Sequence, residues 1–283
     1  MTAGATRPVG VEELRRAWRA LQAGQFRAHH RPVAARPDTI HATLDQHWAP
    51  AETTLTVVGC VGQSGASTVA LALATAAGDA RVIECCPATA SGLAAATTAE
   101  LGTSPRGWTL GRRGRVSIAR TTEVHLTATH LTAADLPLPD EPTTDPDLTV
   151  LDVGWDLGYV LATPGWLSDH LRRAGPVIVT TTATIPGLRR LETALTLLGP
   201  DRALVAVLGP TRRRWPRHLN AALGPHATAR DNAGLLTVIP TDKHLATRGL
   251  DSTPLAPSLL RAAENLLHLT VAETGPAHEG TPA

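Results

Sequence analysis

Lysine is almost missing from this chain. Of 26 Lys and Arg residues only Lys243 is a lysine, so any chemistry that depends on a lysine has one residue to draw on. Cysteine is nearly as scarce: Cys60, Cys85 and Cys86 are the only three. That number excludes a disulfide framework and fits a reducing cytoplasm. No Cys or His spacing matches a zinc cage, and the vicinal Cys85–Cys86 pair reads as small buried filler. Aromatic residues make up 3% of the chain, with one Tyr and one Phe, so aliphatic residues, Ala and Thr must fill the interior. No apolar run reaches the ~18–20 residues a membrane-spanning helix needs. The opening MTAGATRPVG has no apolar segment of the kind a signal peptide carries. These absences predict a cytoplasmic protein and leave peripheral attachment to a membrane or the nucleoid open. A formal net charge of +1 excludes a strongly basic nucleic-acid coat.

What is present is enough for one α/β domain in 283 residues. Val11, Leu14, Trp18 and Leu21 fall on one helical stripe, which predicts a short N-terminal helix. A Pro/Gly-containing linker follows, so residues 1–52 form a helix and linker, 53–270 the folded domain and 271–283 a disordered tail. Within the domain, apolar strands are expected at Leu55–Val58, Arg81–Glu84, Leu148–Asp152, Pro176–Thr180, Ala203–Leu208 and Leu235–Ile239. Helices are expected at Ser67–Ala77, Ala90–Leu101, Trp166–Arg173, Pro186–Leu198 and Leu255–Leu269, with another reaching Leu223. Arg113-Gly114 is a plausible turn between two hairpin strands. This alternation of strands and helices predicts a mostly parallel, doubly wound sheet with helices on both faces.

Such sheets bind ligands beyond the carboxyl ends of their strands. The stretch after Leu55–Val58 has the corresponding form: a glycine-rich loop, Gly59 to Gly65, running into a helix at Ser67. Glycines let backbone N–H groups converge on a phosphate, and the helix N-terminus adds partial positive charge. The candidate cradle is Gly62, Gln63, Ser64, Gly65, Ala66, Ser67 and Thr68. A phosphate-binding loop of the common type ends Gly-Lys-Ser/Thr; this one ends Gly65-Ala66-Ser67-Thr68. The loops after Val58, Glu84, Asp152 and Ile239 belong on one rim.

From Leu55 to Leu269 the order of motifs resembles the MinD/ParA group of P-loop ATPases, the deviant Walker proteins of the SIMIBI class. Cys60–Thr68 lies where that family has G-K-G-G-x-G-K-T-T, and Val82–Pro87 where it has a strand ending D-x-D-P. Val150-Leu151-Asp152 is similar to the Walker B strand, and Val238–Asp242 to the loop beside the adenine. The resemblance implies a three-layer P-loop NTPase-like sandwich. It also implies ATP or ADP held with Mg2+ on Ser67 and Asp152, and Pro240 and Asp242 at the base. The same comparison removes the chemistry: the two family lysines fall on Val61 and Ala66, and the second switch acid on Cys86. Glu84 and Asp152 are the remaining catalytic candidates. The function implied is a degenerate, weakly nucleotide-binding protein with little or no hydrolysis, in a regulatory or positioning role in partition, conjugation or secretion. The alternatives are a ligand-free scaffold with no cofactor and an ATPase completed by a partner. The partners implied are a second copy of the chain, or DNA or protein gripped by Arg212, Arg213, Arg214, Trp215 and Arg217. The Arg-Trp-Pro segment before a helix is similar to that of MinD-like proteins from actinobacterial mobile and conjugative elements.

Overall fold

β-branched residues run through the strands of a nine-stranded sheet, and Ala- and Leu-rich segments cover it. The computed structural model describes residues 48–87, 90–121, 132–173 and 175–274. The expected N-terminal helix, the linker as far as residue 47 and the chain from residue 275 lie outside them. The strands are β1 (Thr54–Gly59), β2 (Ala80–Cys85), β3 (Ala99–Thr103), β4 (Trp108–Arg113), β5 (Val116–Thr121), β6 (Leu148–Val153), β7 (Val177–Thr182), β8 (Ala203–Gly209) and β9 (Leu236–Pro240). Their order in the sheet is β3-β4-β5-β2-β6-β1-β7-β8-β9. Only the β3–β4 and β4–β5 pairings are antiparallel. The others are parallel, as right-handed strand–helix–strand crossovers require.

Both faces of β2 and β6 are covered: every residue is buried, including Arg81, Glu84, Thr149 and Asp152 among their apolar neighbours. One face packs on α1 (Ala66–Ala77) and on α8 (Pro257–Thr274), through residues such as Leu71, Leu73, Leu259 and Leu266. The other packs on α2 (Leu157–Ala162), α3 (Trp166–Arg173) and α4 (Ile185–Leu198), and on the short α5 (Arg217–Asn220) and α6 (Pro225–Asn232). The expected three-layer α/β arrangement with a mostly parallel, doubly wound sheet is therefore the one observed. A further short helix, α7 (Lys243–Arg248), follows β9.

The segment after β2 differs from expectation in kind, and the helix expected to reach Leu223 ends at Asn220. In place of a helix over Ala90–Leu101 there is a 3-10 turn at Ala94–Ala96 and then strand β3. Alanine's helix propensity is outweighed by pairing to β4, and the amide of Thr98 already donates to the Arg112 carbonyl at 2.7 Å. The ladder slips between Glu100 and Gly102, and Gly102 has φ +93°. Leu101, the extra residue of that bulge, is left exposed. The closing helix α8 runs on to Thr274, past the expected boundary at residue 270.

Candidate functional site

The glycine loop leaves β1 at Gly59. A Cβ there would lie 2.6 Å from Ser64 Oγ, so the residue must be glycine for the loop to fold back. Ser64 is itself buried and shares a 2.9 Å hydrogen bond with Thr180 Oγ1 on β7. The Cys60 amide donates to the Thr180 carbonyl at 2.9 Å. Gln63 and Gly65 take left-handed backbone, φ +61° and +85°, which turns the chain sharply into α1. Gly65 is the N-cap of α1, and no side chain caps that helix. Its first-turn amides and the positive end of its dipole are therefore left to serve an anion.

Beneath the loop, Asp152 near the end of β6 is 1% exposed. Burial pushes its carboxyl up to about 7; the nearby Glu84 adds to the shift and a hydrogen bond from Ser67 opposes it. Its Oδ1 has no hydrogen-bond partner. A buried orphan oxygen beside a serine hydroxyl is the donor set a hard divalent cation takes, so Ser67 and Asp152 fit Mg2+. Among the described residues no group of three His, Cys, Asp or Glu side chains could hold a metal alone. The remaining ligands would be water and substrate phosphate.

Glu84 is fully buried, but its carboxylate is committed. Oε1 accepts from the amides of Gly92 (2.7 Å) and Leu93 (2.9 Å), and Oε2 from Ser91 Oγ (2.8 Å). It anchors the segment that follows β2. Cys86 is buried against Gly154, where a Cβ would come within 2.5 Å of the cysteine Cβ. Desolvation raises the thiols of Cys85 and Cys86 well above their usual range, and that of Cys60 to about 12. All three are inert fillers at neutral pH.

The loop opens onto a cleft of about 1140 Å3. Its walls include every residue of the expected cradle from Gly62 to Thr68, together with Pro240 and Asp242. Asp242 also caps α7, its Oδ1 accepting from the amides of His244 (2.7 Å) and Leu245 (3.2 Å). Asp152 and Glu84 lie behind the wall rather than in it. Lys243 is exposed and outside the cleft. The far wall comes from segments that sequence reading left out: Trp155, Asp156 and Gly158 after β6, and Arg190, Thr193 and Leu197 on α4. Trp155 stacks on Tyr159 with ring centroids 5.5 Å apart. Arg190 is the one basic side chain among the described residues of the wall.

The arginine cluster after β8 divides into two groups. Trp215 is buried and donates from Nε1 to the Pro210 carbonyl at 2.9 Å. Arg212 lies 4.4 Å over its ring and pairs with Asp231 at 2.7 Å. Trp215 thus pins the loop to the core, while Arg212 is engaged by its ring and by Asp231 with its side chain still partly exposed. Arg213, Arg214 and Arg217 are exposed.

No family model matches the chain, and no curated protein matches it. Solved structures do. The apo form of McdA from Cyanothece superposes with a TM-score of 0.50 at 13% identity, covering 77% of this chain and 98% of that one. Pyrococcus furiosus cell division ATPase MinD gives 0.45 at 14% identity over 77% and 99% of the two chains. A candidate plasmid partition protein from Borrelia burgdorferi, bound to AMPPNP, gives 0.47 at 13% over 78% and 99%. What is shared is the architecture: this chain has the MinD/ParA type of P-loop α/β fold.

Proposed function

We propose that the chain is a degenerate MinD/ParA-like protein that binds a Mg2+–nucleoside phosphate weakly, hydrolyses it very slowly or not at all, and acts in a regulatory or positioning role. One observation carries the binding reading. A buried, unpartnered Asp152 oxygen sits beside Ser67 at the foot of an uncapped helix. Folding leaves such a group unsatisfied only at a cost, and a bound cation removes it. Mg2+ would neutralise phosphate charge there. The loop amides would orient the phosphates, and the apolar wall of Ile239, Leu245 and Leu250 would receive the base.

Weak turnover follows from the same residues. Positions 61 and 66 carry Val and Ala, so no loop lysine meets charge developing in phosphoryl transfer. The loss of one such contact costs about a hundredfold or more in rate. Cys86 cannot position water as an acid would, and Glu84 is occupied as an anchor.

Thermal melting of the full chain with millimolar Mg2+-ATP, Mg2+-ADP and Mg2+-GTP tests binding. A shift that disappears in Asp152→Ala is the expected result; no shift with any nucleotide sinks the proposal. Turnover lost in the same variant would instead favour an ATPase completed by a partner. A second reading, a surface for DNA or an acidic protein, is favoured by the exposed Arg213, Arg214 and Arg217. It predicts a salt-sensitive gel shift that their joint replacement by alanine abolishes; undiminished binding rejects that surface.

A further inference from the structure

We infer that Arg190 supplies the positive charge the glycine loop lacks, gripping the β- and γ-phosphates from the α4 side of the cleft. The inference rests on the nucleotide reading above and extends it to a residue and a ligand group.

Placement comes first. β7 lies beside β1, with Thr180 opposite Gly59 in the ladder, and the Thr180 carbonyl takes the Cys60 amide. The start of α4 is thereby brought next to the first half of the loop, where Val61 stands. α4 begins at Ile185, capped by Thr184 Oγ1, which accepts from the Gly187 amide at 3.1 Å. Arg190 is in its second turn, about 7–8 Å along the axis at 1.5 Å per residue.

Orientation is set by the helix face. Leu188, Leu191, Leu195 and Leu198 are buried against the sheet. Arg190, Thr193, Ala194 and Leu197 line the cleft, the spacing of one helical stripe. Its neighbour Arg189 is absent from the cleft and lines an adjoining groove with Glu192 and Ala222, which shares Thr193 and Leu197 with the cleft.

Charge then selects the ligand. Arg190 is exposed and forms no ion pair among the described residues. The carboxylates in the cleft wall cap helices: Asp156 Oδ1 accepts from the Tyr159 amide at 2.9 Å, and Asp242 Oδ1 from two amides of α7. Neither is within ion-pair distance of the guanidinium. A planar guanidinium with several N–H donors binds two phosphate oxygens at once. Loop amides on one side and Arg190 on the other would hold a polyphosphate between them.

Titration calorimetry of the full chain with Mg2+-ATP, Mg2+-ADP and adenosine tests this. Arg190→Ala should weaken Mg2+-ATP about ten- to a hundredfold, as expected for a hydrogen-bonded charge, and leave adenosine unchanged. Arg190→Gln should lose as much, Arg190→Lys should recover part of the affinity, and Arg189→Ala should bind as wild type. Undiminished ATP affinity in Arg190→Ala and Arg190→Gln overturns this inference and leaves the nucleotide reading standing. Equal losses for ATP and adenosine also overturn it, because they mark a structural role. A wild-type chain that binds no nucleotide overturns both.

Discussion

Asp152 illustrates how much a single side chain records here. Its folded-state pKa is raised from 3.8 to about 7, so between those values the folded chain holds a proton that the unfolded chain has released. Stability therefore falls as pH rises through that window. Asp152→Asn should remove the dependence and be more stable than wild type at about pH 8 by a few kcal/mol, since one unit is worth about 1.4 kcal/mol. Urea melts in chelator at both ends of the window check it; a variant less stable than wild type at high pH contradicts it. Glu84 makes the opposite prediction. Removing its carboxylate strands the Gly92 and Leu93 amides and Ser91 Oγ, each unsatisfied group costing about 1–3 kcal/mol. Glu84→Ala should lose about 2–4 kcal/mol, and an unchanged denaturation midpoint would contradict that anchor role. The sequence already placed both acids at or near strand ends. It could not place the amides that occupy Glu84, because they arrive when the chain folds back eight and nine residues later. Nor did it single out Arg190 from Arg189, since the two differ only in which groove each faces.

Among the elements, the long periodic ones were readable and the short ones were not. α4 and α3 were legible because their apolar stripes match the helical period. β3 was not: the alanine-rich run leading into it favours a helix locally, and its pairing to β4 is a tertiary gain. α6 carries no local cap. Glu192 on α4 supplies one, accepting from the amides of His226 (2.9 Å) and Ala227 (3.1 Å). The hairpin of β4 and β5 was legible, but its attachment was not. Arg113 donates to the carbonyls of Ala96 at 2.9 Å and Asp251 at 2.6 Å, and to that of Thr253, tying the antiparallel edge to the segment before α8. Arg113→Ala should cost about 1.5–3 kcal/mol, as for a charged hydrogen-bond donor. Hydrogen exchange should accelerate in both β4 and residues 249–255. Exchange confined to the hairpin would show that the tie is not what holds the two together.

At the scale of the whole molecule, the parallel sheet carries its loops to one rim, and the cleft is where they meet. No lysine lines the described cleft, and one substitution tests what a loop cation would add. Ala66 opens α1 and lines the cleft. Ala66→Lys should tighten Mg2+-ATP about tenfold or more, the gain expected from one charged hydrogen bond. Affinity unchanged in a folded variant would place the phosphates elsewhere. No described helix is long and apolar enough to cross a membrane, so attachment to a membrane by a described helix would have to be peripheral.

The packing of Cys86 against Gly154 limits what else position 86 can hold. An acid placed at position 86 would enter a desolvated space already shared with Glu84 and Asp152, making three carboxylates with no cation among them. Cys86→Asp should therefore be less stable than wild type in urea melts at neutral pH, and an unchanged midpoint would contradict that crowding.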